Sequence, residues 1–135
     1  MPLISVKDLT DRSSSLLRAA GAPEDIAHIT AELIVGADVV GHESHGVVQL
    51  PGYLAGVSAG RIMPDARPSA TRETETTALL DAQKGFGHYS ASVAMDAALE
   101  RAARYQMGAV SLANANHIGR LGACAKRGGM AEAAG

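Results

Sequence analysis

Apolar residues recur at intervals of three and four over the first half of the chain and predict three helices there. The first begins with Ser5 in capping-box spacing and ends at Gly21. The second begins at Pro23, because proline and the acidic residues after it suit a first helical turn, and ends near Gly41. Pro51 begins the third. The inner faces are predicted to carry Leu9, Leu16, Leu17 and Ala20 in the first helix, and Ile26, Ile29, Leu33, Ala37 and Val40 in the second.

The pattern changes in the second half of the chain. Residues 63–77 contain two prolines, many charges and no helical period, which predicts a connection and a domain boundary. Short apolar runs at 76–81 and 109–113 predict two strands, with an amphipathic helix over 89–105 between them and another helix from residue 121.

This order predicts an α+β fold with two units: a helical domain over residues 1–68 and the first part of a mixed α/β domain over residues 69–135. Two strands make a marginal sheet. We therefore expect the second unit either to pair with another chain or to belong to a longer protein.

Composition and charge exclude several classes of protein. The 135 residues carry a net charge of −2, a pI near 6.2 and only 3% aromatic residues, which disfavours nucleic acid as a partner. The most apolar stretch, residues 31–41, is too short to span a membrane. The first residues do not resemble a signal peptide, and a single cysteine fits a reducing compartment, so we expect a cytoplasmic location.

The densest group of reactive side chains follows the second helix, in the sequence GHESHG. His45 is suited to proton transfer near neutral pH, and Ser44 can hold one of its ring nitrogens. A solvated helix end explains such a tetrapeptide about equally well. His42 and His45 are three residues apart, whereas zinc-protease histidines are four apart on one helix, so we predict no metal site.

Two further segments come where strands meet helices. GFGHYS at 85–90 lacks the third glycine of a dinucleotide-binding loop, so Gly85 and Gly87 are interpreted as turn residues and His88 as a helix-start or packing residue. NANHIGRLG at 114–122 opens the last helix, where free N–H groups suit an anion. A polar turn without a ligand is an equal alternative for this second segment.

Taken together and in order, these motifs resemble the malate/L-lactate/sulfolactate dehydrogenase family, and in the HIGR sequence a subgroup of hydroxycarboxylate dehydrogenases. The motifs, which extend over nearly the whole chain, are SHGV, LPxYL, AGRI, the GFG turn, GAV and NxNHxG. Members of this family are considerably longer, so the chain resembles an N-terminal fragment.

The resemblance implies a homodimer that binds NAD or NADP in a non-Rossmann manner and interconverts a small 2-hydroxy acid and a 2-oxo acid. His45 would be the proton donor and acceptor, with Ser44 as its partner. The fragment alone is expected to be inactive. The residues expected to lie against the cofactor are Asn116, His117, Ile118, Gly119, Arg120 and Leu121.

One position departs from the family pattern. The family commonly has SHGVxR, with an arginine that binds the substrate carboxylate, but Gln49 stands there in this chain. Glutamine offers neither the charge nor the two-pronged geometry of arginine. We therefore list Gln49 and Arg120 as candidate substrate-binding residues, with the hypothesis that Arg120 replaces the missing arginine.

Two other classes of function compete with this interpretation. The chain could be a non-catalytic helical dimerisation remnant that binds no cofactor, which titration with NADH and NADPH would reveal. A hydrolase using Ser44 and His45 is a third possibility, but adjacent residues rarely have the geometry of a nucleophile and its base, and the sequence has no GxSxG motif.

Overall fold

The computed structural model describes residues 3–133, with side chains through residue 130. Within that range no helix combines the length and apolar character needed to cross a membrane. The elements in chain order are α1 (Val6–Ala19), α2 (Glu24–Val39), two short 3-10 helices (Glu43–His45 and Val47–Gln49), α3 (Leu50–Ser58), β1 (Ser69–Glu73), β2 (Thr77–Asp81), α4 (Gly87–Tyr105), β3 (Ala109–Ala113) and α5 (Gly122–Ala133).

Helices α1 and α2 pack side by side, and their ends agree with the sequence signals. The Asp8 backbone N–H donates to Ser5 Oγ at 3.0 Å, which confirms the predicted N-cap. The predicted inner face of α1 is partly wrong. Leu17 is fully buried, but Leu16 is 49% exposed, because adjacent helical residues point about 100° apart and small polar residues fill the buried side. Those residues are Thr10, Ser13 and Ser14.

The buried face of α2 is also rotated from the predicted one. Val40 is exposed and Leu33 only half-buried, whereas small residues that carried little weight in the sequence pattern lie inside. Alanine and threonine let α1 approach closely, so packing rather than hydrophobicity selects this face. The buried residues are Ile26, Ala27, Thr30, Ala31, Ile34, Val35 and Ala37.

The sheet has three strands in the order β1-β2-β3. Strands β1 and β2 are antiparallel, and β2 and β3 are parallel with α4 as the crossover. The prediction of an unstructured connection over residues 63–77 is therefore wrong at Ser69–Glu73, and so is the prediction of two strands. Every residue of β1 is exposed and four of the five are polar, so this edge strand has no alternation of apolar residues that would reveal it. The mixed α+β class is confirmed.

The principal hydrophobic cluster joins the helices to the start of α4. Phe86 and Tyr89 pack among buried residues of α1, α2 and α3. A smaller cluster beneath the sheet contains Ala78, Leu80 and Ala94. The packing of Phe86 draws the start of α4 against the helical segment, so the corner after α2 and the turn after β3 lie near each other. The division into units at residues 1–68 and 69–135 stays a prediction.

Candidate active site

The corner after α2 is held by a carboxylate. The Val47 backbone N–H donates to Asp38 Oδ2 at 2.9 Å, which ties the second 3-10 helix to the end of α2. Gly46 lies directly against this carboxylate, and a Cβ added there would overlap Asp38 Oδ1, Cγ and Oδ2. Only glycine leaves room for the Asp38 side chain, which explains the glycine after His45.

His45 is half-buried on this corner and one of its ring nitrogens is engaged. Ser44 Oγ lies 3.0 Å from His45 Nδ1, so Nε2 is the nitrogen left for a reacting group. Gln49 also holds the corner, because its Nε2 donates to the Ser44 carbonyl at 2.8 Å. One of the two amide hydrogens of Gln49 is thus used within the chain.

The turn after β3 rests on the loop that precedes α4. Asn116 Nδ2 donates to the carbonyls of Lys84 at 2.7 Å and Gly85 at 3.0 Å. A Cβ on Gly87 would overlap the carbonyl oxygens of Asn116 and His117. Gly87 is therefore the point where two backbones touch, and the amide of Asn116 is occupied in fixing the turn.

Four imidazoles and one phenol gather where the corner meets this turn. The His45 ring centroid lies 5.3 Å from that of His117 and 4.3 Å from that of His42. Tyr53 Oη lies 2.8 Å from His117 Nδ1. His88 stands beneath, with its ring centroid 5.4 Å from Tyr53 and 6.1 Å from His117. Among the side chains described, those of residues 3–130, no group of three or more His, Cys, Asp or Glu is arranged to hold a metal ion.

Tyr53 has no chemical role in the sequence analysis, where it is only the tyrosine of the LPxYL motif. The signal that could have found it is its hydroxyl, since a tyrosine on a buried helix face usually has a hydrogen-bond partner. His88 was expected to pack or to start a helix, and it does both, because it is 2% exposed in the first turn of α4.

An open cleft of about 640 Å³ lies between the corner and the turn. Arg120 supplies a positive charge to it, and none of the described lining residues is a carboxylate. Buried Nε of Arg120 has no hydrogen-bond partner within the described structure. The cleft therefore suits an anionic ligand. Its lining consists of His42, His45, Ile118, Gly119, Arg120, Leu121 and Gly122.

The expected anion site at the start of α5 is weaker than the sequence suggested. The N–H groups of Ala123, Cys124 and Ala125 already donate to the carbonyls of Arg120 and Leu121. These groups are consequently unavailable to a phosphate or carboxylate, and the arginine side chain is the stronger anion-binding feature of this turn.

Burial changes the acidity of two members of this cluster. Desolvation raises the pKa of Tyr53 to about 12, so its hydroxyl keeps its proton. Burial, with the neighbouring His117 and His45 as smaller causes, lowers the pKa of His88 from 6.5 to about 4. His88 is therefore neutral at physiological pH, in agreement with its position against the backbone of Gly119, where a Cβ would overlap the imidazole.

The predicted site residues thus fall into two groups. His45, Ile118, Gly119, Arg120 and Leu121 line one cleft, with His117 beside it. The side chains of Ser44, Gln49 and Asn116 make hydrogen bonds within the chain. Whether either group contacts substrate or cofactor stays a prediction.

Comparison with known proteins decides the family. The model of the family described as malate/L-lactate dehydrogenase matches residues 4–134, which is nearly the entire chain. The chain belongs to this family. The resemblance inferred from the ordered motifs is confirmed.

Several relatives and solved structures are similar to this chain. The L-sulfolactate dehydrogenase of Methanothermobacter thermautotrophicus is 37% identical over 107 residues, covering 79% of the chain and 31% of that protein. Hydroxycarboxylate dehydrogenase B of Escherichia coli is 32% identical over 108 residues, covering 80% and 30%. The structure of sulfolactate dehydrogenase from Methanocaldococcus jannaschii superposes with a TM-score of 0.91 at 30% identity, covering 93% of this chain and 37% of that one. The chain therefore spans about a third of the length of the relatives it matches.

Replacing Gly46 with alanine is expected to destabilise the corner. The new Cβ must displace the Asp38 carboxylate, so Gly46→Ala should lower the free energy of unfolding by about 1–3 kcal/mol. Gly52→Ala is the matched control, because nothing lies within 4 Å of a Cβ at that position in α3 and alanine favours helix by up to about 1 kcal/mol. Urea denaturation measures both. When Asp38 is also replaced by alanine, Gly46→Ala should lower the free energy of unfolding by less than it does in the parent. If the losses caused by the two substitutions simply add, the overlap between the new Cβ and Asp38 is contradicted.

The buried neutral state of His88 predicts a pH dependence of stability. In the unfolded chain the imidazole of His88 takes up a proton near pH 6.5, whereas in the folded chain it does so only near pH 4. The contribution of the neutral ring to the free energy of unfolding is therefore complete above pH 6.5 and declines as the pH falls toward 4. At 1.36 kcal/mol per pH unit, the loss between about pH 7 and pH 5 is about 2 kcal/mol. His88→Asn should remove that loss, whereas His28→Asn, on an exposed position of α2, should retain it. Equal pH slopes in the two variants would show that His88 is not the group responsible.

Proposed function

We propose that the protein to which this chain contributes interconverts a small 2-hydroxy acid and the corresponding 2-oxo acid, with His45 as its acid and base. The observation that carries the proposal is the position of His45: its ring lines an open, carboxylate-free cleft 5.3 Å from His117, with Ser44 on Nδ1 and Nε2 left free. Relatives named as sulfolactate, malate and hydroxycarboxylate dehydrogenases support the reaction class.

The cleft also fits part of a nicotinamide cofactor, NAD or NADP. Gly119 and Gly122 line the cleft, and the guanidinium of Arg120 supplies charge with a buried nitrogen left unpartnered in the described structure. We propose that Ile118, Gly119, Arg120 and Leu121 contact the cofactor, with His117 beside them. Asn116 would contribute indirectly, by fixing the turn.

The chemistry requires two transfers at adjacent atoms. When bound, the nicotinamide supplies a hydride to the substrate's second carbon or takes one from it. In reduction, His45 in its imidazolium form gives a proton from Nε2 to the carbonyl oxygen and becomes neutral. In oxidation, neutral His45 takes the hydroxyl proton. Ser44 holds Nδ1 in both directions, because its hydroxyl oxygen accepts from the Nδ1–H that the ring keeps whether Nε2 is protonated or bare.

Arg120 is the proposed partner of the substrate carboxylate. It is the one cationic side chain among the described residues that line the cleft, and Gln49 is already bonded to the corner. An arginine binds a carboxylate through two parallel N–H groups, which also orients the substrate.

We further propose that the protein forms a homodimer and works in the cytoplasm. These two proposals are supported by the family resemblance and by the sequence features described above.

Removing the imidazole of His45 is expected to stop turnover without abolishing cofactor binding. In the intact protein, His45→Gln should lower kcat/KM by roughly 10²–10⁴, the usual contribution of a positioned acid or base. Steady-state kinetics with 2-oxo acids and both cofactors measures this, and fluorescence titration of NADH and NADPH measures binding. His28→Gln, on the exposed side of α2, is the control and should match the parent. Unchanged turnover in His45→Gln would refute the acid and base assignment, and absence of NADH and NADPH binding to the parent would favour a non-catalytic remnant.

The carboxylate role of Arg120 predicts a distinct kinetic signature. Arg120→Ala should raise KM for the oxo acid by about 10- to 100-fold, since a hydrogen bond to a charged group contributes about 1.5–3 kcal/mol. Lys126→Ala removes a nearby positive charge from α5 without touching the cleft, so it controls for general electrostatics. A KM for Arg120→Ala equal to that of Lys126→Ala would contradict the hypothesis.

A further inference from the structure

Tyr53 and His117 form a hydrogen bond between residues 64 positions apart in sequence, with 2.8 Å between Tyr53 Oη and His117 Nδ1. The phenol is fixed in place, because Tyr53 is 8% exposed in the helical core and its ring meets His88 edge to face. His117 sits on the turn after β3, next to the cleft. One buried side chain of α3 thus holds an imidazole that another part of the chain supplies.

The direction of this bond follows from the groups involved. His117 Nδ1 is the one hydrogen-bond partner of Tyr53 Oη among the described residues, so this buried phenol satisfies its own hydrogen by donating it there. A neutral imidazole has one bare nitrogen and one N–H. With the phenol as donor, Nδ1 of His117 is the bare nitrogen, and the hydrogen of the ring must be on Nε2.

The hydrogen-bond partner of His45 is a serine hydroxyl, not a buried phenol like that of His117. Ser44 is exposed, and its hydroxyl oxygen accepts from Nδ1–H of His45, which is present whether Nε2 is protonated or bare. Two imidazolium ions at a centroid distance of 5.3 Å would repel each other. Of the two rings His45 is the one with Nε2 left for an added proton, because Tyr53 occupies Nδ1 of His117 as a donor.

We propose that Tyr53 is a positioning residue that holds His117 as the neutral tautomer with its hydrogen on Nε2. His117 then presents a fixed N–H donor beside His45, directed to the substrate oxygen, while His45 alone gains and loses the proton. The inference rests on the proposed function for the identity of the acceptor. The tautomer itself does not depend on it.

Nitrogen-15 NMR of histidine-labelled protein tests the tautomer directly. The spectrum is recorded near pH 8, where imidazoles with an ordinary pKa of about 6.5 are neutral, and the His117 signals are assigned by their disappearance in His117→Gln. We expect Nδ1 to have the shift of a bare nitrogen and Nε2 that of a protonated one. A protonated Nδ1 in the parent protein overturns the proposal without any variant.

Two matched substitutions then test the role of the phenol. Tyr53→Phe removes one hydroxyl and keeps the ring, so both nitrogens of His117 should move toward the averaged shifts of mixed tautomers. Tyr89→Phe is the control, because Tyr89 has the same 8% exposure in the same core but its hydroxyl pairs with Arg67. His117 shifts should not change in that control. Unchanged shifts in Tyr53→Phe, or equal changes in both variants, overturn the proposal.

Kinetics of the intact protein separates this inference from the proposed function. Tyr53→Phe should lower kcat by about 10-fold with little change in KM for cofactor, which corresponds to about 1.4 kcal/mol. Retained turnover in His45→Gln refutes the proposed function and leaves the tautomer result standing. An unchanged kcat in Tyr53→Phe, in a protein that does depend on His45, refutes the role of Tyr53.

Discussion

The contact between two backbones at Gly87 is the constraint on which the candidate site depends. There the start of α4 lies against the carbonyls of Asn116 and His117, and the amide of Asn116 closes the contact by donating to Lys84 and Gly85. Without that close approach the turn after β3 would stand away from the helical core. His117 could not then reach Tyr53, and His45 would face solvent alone.

The electrostatic character of the site follows from the same packing. Burying the first turn of α4 places His88 out of water, where it is neutral, and leaves His45 on the lining of the cleft with His117 beside it. Because a glycine at position 119 lets the imidazole of His88 lie against bare backbone, the layer beneath the cleft is uncharged. Arg120 then dominates the potential that an anionic ligand meets in the described part of the cleft.

Local signals in the sequence were sufficient for most of the elements. The N-cap at Ser5, the strand over Ala109–Ala113 and the α+β class follow from capping, periodicity and β-branched residues that act over a few positions. Strand β1 escaped prediction because every residue of it is exposed, so its conformation comes from pairing with β2 rather than from its own pattern. The buried faces of α1 and α2 were misplaced for a related reason: close helix packing favours Ser13 and Ala27 over larger residues nearby.

The candidate site divides in the same way. His45 and the turn with Arg120 were proposed from residue types and motif order alone. Tyr53 was not, because its role depends on a contact across 64 positions, and neither was the use of Asn116 and Gln49 within the chain. Residue chemistry predicts which side chains are able to react, whereas long-range packing decides which of them are free to do so.

The central claim is that one imidazole, His45, exchanges the proton in both directions of the reaction. The most direct measurement is the pH dependence of kcat/KM of the intact protein for reduction of an oxo acid and for oxidation of the matching hydroxy acid. Since reduction needs the imidazolium and oxidation the neutral ring, the first should fall and the second rise with pH about one shared midpoint. Profiles that run in the same direction, or that survive in His45→Gln, would contradict the account.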